Sequence, residues 1–157
     1  MTGDTVGTLR TALLATLLFG SAGALLELLL IQHDEDVWQY IPLVLIGLSF
    51  LVAAWHIARK DAASVRALQL MMVLFIGAGG LGVLLHFNGA AEFQIEIDPS
   101  QDRWSLLGKV LRAKAPPVLA PGLMIQLGLL GLIYSFRHPA LARRDAASQP
   151  GHREVIS

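Results

Sequence analysis

The stretch Val73–Leu85, "VLFIGAGGLGVLL", decides the fold class of this chain. Its glycines Gly77, Gly79 and Gly82 reproduce the G-x-G-x-x-G spacing of dinucleotide-binding turns, and they follow a strand-like apolar run. The same residues fit the middle of a membrane-spanning helix, in which glycines let a neighbouring backbone approach closely. The two interpretations predict different proteins, and the flanking sequence distinguishes them.

The segment "GAGGLG" resembles the nucleotide loop of the ubiquitin-activating and ThiF-type adenylating enzymes, over about one fifth of the chain. The resemblance implies a strand, a phosphate-binding turn and a helix, with Asp98, 21 residues after Gly77, as the ribose-binding acid. The expected helix is interrupted at Asn88-Gly89, and residues 81–85 are all apolar or glycine, whereas a Rossmann helix keeps one face wet. The rest of the chain offers further apolar segments in place of β-α units, so we interpret the stretch as part of a membrane span.

The composition also indicates a membrane protein. Of the 157 residues, 54% are hydrophobic and 15% are charged, against about 25% charged residues in a soluble domain. Much of the surface is therefore expected to face lipid. The formal net charge is zero, so no overall field attracts nucleic acid. The absence of cysteine excludes disulfides, thiolate catalysis, Cys-ligated zinc and iron–sulfur clusters.

Four apolar segments are each close to the roughly 20 residues that a helix needs to cross the hydrocarbon core. The first also fits a signal peptide with "SAGA" as its cleavage site, but the apolar "LLELLLI" that follows favours an uncleaved span. The predicted fold is an all-α integral membrane bundle of four transmembrane helices, at about residues 9–31, 40–58, 67–87 and 118–136. These form one domain over residues 1–138, followed by a disordered cytoplasmic tail at residues 139–157.

The connection between the third and fourth spans, residues 88–117, is predicted to be a long outer loop. Its first part, "EFQIEID", alternates apolar and polar residues, which predicts a short strand-like segment. Its second part, "DRWSLLGKVLRAK", places Trp104, Leu107 and Leu111 on one helical face beside basic residues. This pattern predicts an amphipathic helix on the membrane surface.

The basic residues predict the orientation, because Lys and Arg accumulate in cytoplasmic connections. Eight of the twelve lie on the side of the bundle that carries both termini, and four lie in the long loop. The N- and C-termini are therefore predicted to be cytoplasmic. The acidic turn "HDED" and the long loop are predicted to face outward.

Polar residues near the outer ends of the spans form a candidate site. An ionised Glu27 is costly inside a span, so this carboxyl is expected to be protonated or paired, or to hydrogen-bond a neighbouring helix. Histidine with carboxylates can bind a divalent cation such as zinc or handle protons. The candidate polar, proton or metal cluster comprises Glu27, Tyr40, His86, Glu92 and Gln126. Weaker metal candidates, which also fit a solvated acidic turn, are His33, Asp34 and Asp36.

Two further patterns concern helix contacts and haem. Small residues at helical spacing predict packing faces between the spans. These residues are Gly20, Ala24, Gly79, Gly82, Gly128 and Gly131. Two pairs of histidines lie at matching depths, His56 with His138 and His33 with His86. They are compatible with a haem-binding bundle, although haem ligands usually lie deeper in the membrane.

The sequence favours an accessory or scaffold subunit that acts through helix–helix packing, because no catalytic motif is specific and the spans contain few polar residues. The alternative is a membrane enzyme or transporter that uses the outer polar cluster, and a haem-binding electron-transfer bundle is the third function considered. No cofactor is predicted. The sequence is compatible with a bound divalent metal and disfavours haem. The predicted partners are the lipid bilayer and other membrane proteins or a second copy of the chain, and no nucleic acid.

Overall fold

The computed structural model describes residues 2–31, 37–112 and 119–142. Within these ranges the chain forms five helices and no strand. The helices are α1 (Thr2–Leu30), α2 (Val37–Arg59), α3 (Ala62–Ile97), α4 (Arg103–Leu111) and α5 (Leu119–Ser135). The weaker metal candidates His33, Asp34 and Asp36, and the predicted tail beyond residue 142, lie outside the described residues.

Three of these helices, α1, α2 and α3, are long and apolar enough to cross a membrane. Most of their apolar surface faces outward: Phe19 is 83% exposed, Leu51 68% and Leu70 62%. Soluble monomers rarely expose contiguous apolar surface on this scale, whereas lipid covers it without cost. Over the residues that the structure describes, the chain is therefore all-helical and of the membrane class.

Helix α3 is central and packs against α2, α4 and, most extensively, α5. A Cβ atom at Gly79 would lie 2.6 Å from the carbonyl oxygen of Pro121, and one at Gly128 would lie 2.7 Å from the carbonyl oxygen of Met72. Real Cβ atoms essentially never come this close to backbone, so only glycine permits these contacts. Because the start of α5 meets the later part of α3, the two helices run antiparallel with their backbones in direct contact.

The remaining small residues that the sequence places on packing faces also lie against other helices of the same chain. Their contacts are Gly82 with the ring of Pro121, Gly131 with the side chain of Met72, Gly20 with the side chain of Leu127, and Ala24 within the core. All six small residues predicted to lie on packing faces thus contact other helices of the same chain.

The strand-like segment after the third span is helical, since α3 continues to Ile97. Asn88-Gly89 does not end the helix. Extending an existing helix needs no new nucleus, and the Ala, Glu and Gln residues that follow favour helix. Seven alternating residues are too few to distinguish the two-residue repeat of a strand from the 3.6-residue repeat of a helix. The helix ends where Pro99 forces Asp98 into an extended conformation, with φ −143° and ψ 90°.

Helix α4 lies where the sequence predicts the amphipathic helix. Its N-cap, Asp102, accepts hydrogen bonds from the backbone N–H groups of Trp104 at 2.8 Å and Ser105 at 3.0 Å. Lys109 pairs with Asp98 at 3.5 Å and ties α4 to the end of α3. The indole of Trp104 is 80% exposed and so accessible to lipid headgroups.

Candidate functional site

The bundle has two ends, each with a cavity. We call the end at the α2–α3 turn, Lys60–Asp61, the inner end, and the opposite end, where α3 reaches His86, the outer end. The outer cavity has a volume of about 340 Å³ and is lined by all four long helices, α1, α2, α3 and α5. Its wall is mostly apolar, with the polar side chains of Glu27, Gln39 and His86 among its lining residues.

Two features of the backbone bear on this cavity. Pro42 lies inside α2 and lacks an N–H, so the carbonyl of Trp38 loses the helical hydrogen bond that position 42 would donate. Both residues line the cavity. Gly79, Gly82 and Pro121 also line it, so the close contact of α3 with α5 forms part of its wall.

The structure brings together two members of the predicted outer cluster. Glu27 and His86 both line the outer cavity. All five members are exposed, and the other three, Tyr40, Glu92 and Gln126, are not among the lining residues.

The position of Gln126 follows from the buried stripe of α5. Met124, Leu127, Gly128 and Gly131 are buried at a helical repeat, and Gln126 lies off that stripe. The sequence predicted Gly128 and Gly131 as packing residues, and their spacing already places Gln126 on another face of the helix.

A metal ion needs several ligands that converge. Among residues 2–31, 37–112 and 119–142, no group of three or more His, Asp or Glu side chains is placed to hold one. Glu27 and His86 alone fall short of the three protein ligands of a catalytic zinc site.

A second polar cluster lies at the inner end; from the sequence, its His56 and His138 are candidates only for a haem pair, and its Ser64 and Tyr134 are not candidates. His56 is 1% exposed, and both of its ring nitrogens have partners. Nδ1 lies 3.0 Å from Ser64 Oγ, and Nε2 lies 2.6 Å from the Tyr134 hydroxyl. These bonds join α2 to α3 and to α5. We call Ser64, His56, Tyr134 and the adjacent His138 the inner cluster.

The hydrogen bonds of the inner cluster have a consistent direction. The Ser64 hydroxyl donates to the carbonyl oxygen of Asp61 at 2.9 Å. Its oxygen is then the acceptor for His56 Nδ1–H, which leaves Nε2 without a proton to accept from the Tyr134 hydroxyl. With His56 neutral, each hydrogen bond from Tyr134 through His56 and Ser64 to the Asp61 carbonyl has one donor and one acceptor.

His138 completes the cluster, with its ring centroid 5.3 Å from that of His56 and 5.7 Å from that of Tyr134. Burial lowers the pKa of His138, and the nearby His56 and Arg10 lower it further. Its Nδ1 accepts the Ala140 N–H at 3.3 Å, which also requires an unprotonated nitrogen. The inner cluster therefore favours neutral imidazoles.

Arg10 of α1 closes the inner end. Its Nη2 donates to the carbonyl oxygens of Phe136 and Arg137, each at 3.1 Å, beyond the last turn of α5. Carbonyls at a helix C-terminus lack intrahelical donors, and the guanidinium supplies them. Arg10 thus fastens α1 to the end of α5.

This geometry bears on the haem alternative. His56 can ligate iron only after losing its hydrogen bond to Ser64 or to Tyr134. The other pair includes His33, which lies outside the described residues. Helical spacing did not predict the inner cluster, because α5 ends at Ser135 and His138 follows the left-handed Arg137.

Comparison with protein-family models, curated proteins and solved structures found no match to this chain.

Proposed function

We propose that this is a small multi-pass membrane protein that crosses the bilayer four times and binds an amphipathic small molecule in its outer cavity. The observation that carries the proposal is the cavity itself. Its volume of about 340 Å³ falls within the roughly 300–1,000 Å³ of small-molecule sites, which are mostly apolar with a few placed polar groups.

The fourth span rests on how α5 packs. Its 17 residues extend about 25 Å at 1.5 Å per residue. Pro121 lies against Gly79 and Gly131 against Met72, so α5 runs along the part of α3 that we assign to the membrane. A helix bound at that depth has to cross with α3. The excess of basic residues on the side of the termini supports cytoplasmic termini.

Reporter fusions test this topology. Green fluorescent protein fused after Ser157 is expected to fluoresce, and alkaline phosphatase at the same point is expected to be inactive. Fusions after Arg112, before α5, are expected to give the opposite result. Matching results at the two positions would contradict a fourth span, and an active phosphatase after Ser157 would contradict the proposed orientation.

The lining residues indicate the chemistry of the ligand. Apolar side chains such as Leu28, Ile46 and Met124 suit a hydrocarbon body, whereas Glu27, Gln39 and His86 can hydrogen-bond a polar group. We therefore propose a ligand with an apolar body and one hydrogen-bonding end, drawn from the membrane. No described constellation pairs a nucleophile with a base at this cavity, so the proposal is binding and not catalysis.

The ligand is tested through what co-purifies with the protein. Ala78 lines the cavity, and Ala78→Phe is expected to occupy it. Mass spectrometry of solvent extracts is expected to find a small molecule at about one per chain in the unmodified protein and to find it lost in Ala78→Phe. Ala22→Phe, at an exposed position of α1, is the control and is expected to retain it. Equal amounts in all three proteins would refute the ligand site.

The accessory or scaffold function is a second proposal. Gly79 and Gly128 are filled from within the chain, so they cannot receive another protein's helix while the bundle is intact. Gly77 and Gly80 have no atom within 4 Å of an added Cβ, and these open positions on α3 favour this second function. For the enzyme or transporter alternative, only Glu27 and His86 of the predicted cluster line the outer cavity. These two side chains are compatible with binding a polar group.

A further inference from the structure

The inner end contains a second cavity, of about 480 Å³, between α1 and α2. Its lining is of two kinds: Arg10, Lys60 and residues of the inner cluster are polar, and Leu14, Leu18 and Ile57 are apolar. Arg10, Leu14 and Leu18 are four residues apart on α1, so on this helix the cation lies toward the inner end and the aliphatic side chains lie deeper in the bundle. A cavity with cations at its inner end and aliphatic side chains deeper in the bundle matches a molecule with an anionic head and a hydrocarbon chain.

Among the described residues, neither Arg10 nor Lys60 forms a salt bridge with an acid, and the neighbouring Asp61 has other partners. Asp61 accepts the backbone N–H of Ser64 at 2.8 Å and pairs with Arg59 at 3.6 Å. The Ser64 hydrogen bond is the main reason why the pKa of Asp61 is lowered. Nη2 of Arg10 donates to two backbone carbonyl oxygens. Because a guanidinium has five N–H donors, the Arg10 side chain has further N–H groups that can donate to a ligand.

The backbone of Lys60 adds an independent observation. Lys60 has φ 50°, a left-handed conformation at the end of α2, and its N–H donates to the His56 carbonyl oxygen at 2.8 Å. Glycine is the usual residue at such a position because a Cβ is disfavoured there. Lys60 adopts this conformation and also lines the cavity.

Arg137 offers a comparison within the same chain. It also has a left-handed backbone, with φ 47°, just beyond the end of α5. Its guanidinium lies 5.4 Å from the ring centroid of Phe136, and it is not among the residues lining the cavity. Both basic residues can interact favourably with a helix C-terminus. Only Lys60 combines that position with the cavity wall.

We propose that the inner cavity binds one anionic phospholipid, with its phosphate between Arg10 and Lys60 and an acyl chain along Leu14, Leu18 and Ile57. Phosphate oxygens accept charge-assisted hydrogen bonds from guanidinium and ammonium groups. Basic pockets between membrane helices on the cytoplasmic side are known to take such headgroups. The choice of a cytoplasmic-leaflet lipid rests on the proposed orientation, but binding itself does not require it.

The test is native mass spectrometry in detergent, with dioleoyl phosphatidylglycerol as the probe and dioleoyl phosphatidylcholine as the comparison. The unmodified protein is expected to bind one phosphatidylglycerol more tightly than any phosphatidylcholine. Lys60→Gly removes the ammonium and relaxes the left-handed backbone, so it should fold normally and lose about tenfold in affinity. Its melting temperature is expected to be maintained or raised, and that measurement separates lost binding from unfolding.

Arg137→Gly is the matched control, with the same loss of charge at the same end and the same backbone geometry. Because the variant keeps the backbone carbonyl that accepts from Arg10, it is expected to bind phosphatidylglycerol like the unmodified protein. Equal losses in both variants would show general charge attraction and overturn the site, as would unchanged binding in Lys60→Gly. Thermal stabilisation by inorganic phosphate equal to that by phosphatidylglycerol would overturn the lipid as ligand. None of these outcomes depends on the outer cavity, so this proposal and the proposed function can fail separately.

Discussion

Gly128→Val is expected to prevent the bundle from packing as it does here. An added Cβ would lie 2.7 Å from the Met72 carbonyl oxygen and 2.7 Å from Ile76 Cγ1, and valine adds two methyl groups beyond it. Backbone cannot move aside as a flexible side chain can, so α5 has to separate from α3. Overpacking typically costs about 1–3 kcal/mol, and a backbone contact is expected to lie at or above the top of that range. The measurement is the yield of monodisperse protein and its melting temperature in detergent.

The control for this prediction is Gly77→Val on α3. Gly77 is exposed, and an added Cβ there has no atom within 4 Å. The variant has the same chemical change within a membrane helix and is expected to fold with an unchanged melting temperature. If both variants melt alike, the direct backbone contact between α3 and α5 does not govern stability.

Tyr134→Phe is expected to destabilise the protein without disturbing its shape. The substitution removes the hydroxyl that donates to His56 Nε2 and leaves this nitrogen buried without its partner. An unsatisfied buried acceptor costs about 1–3 kcal/mol. At about 2–4 °C per kcal/mol for a chain of this size, the melting temperature should fall by roughly 2–12 °C.

Two comparisons make this prediction specific. Tyr40→Phe changes the chain's other tyrosine, which is 48% exposed, and is expected to have little effect. His56→Leu combined with Tyr134→Phe removes both partners, while Ser64 keeps its bond to the Asp61 carbonyl. The double variant should therefore be less destabilised than the sum of the two single changes. Strict additivity would contradict the coupling between these side chains.

The outcome for the candidate residues shows where sequence reasoning reaches its limit. The glycines of the opening motif are all inside α3, and the two that the sequence predicts as packing residues, Gly79 and Gly82, meet α5, while Gly77 faces away. Gln126, by contrast, was placed near Glu27 and His86 by depth alone, although its spacing from Gly128 and Gly131 puts it on another face of α5. Depth follows from position along a helix, whereas direction depends on which neighbour the helix packs against.

By itself, the sequence determined that the chain is helical, apolar and of the membrane class, because hydropathy and helix formation are properties of short consecutive segments. It also indicated small residues for close helix contact. Only the tertiary structure decided that α5 packs against Gly79 and Gly82 of α3 and that His56, Tyr134 and His138 meet. His56 and Tyr134 lie 78 positions apart in the chain. Contacts of that kind depend on how each helix is rotated about its axis. That rotation is set by the packing of several helices against one another and cannot be read from the residue pattern of one helix.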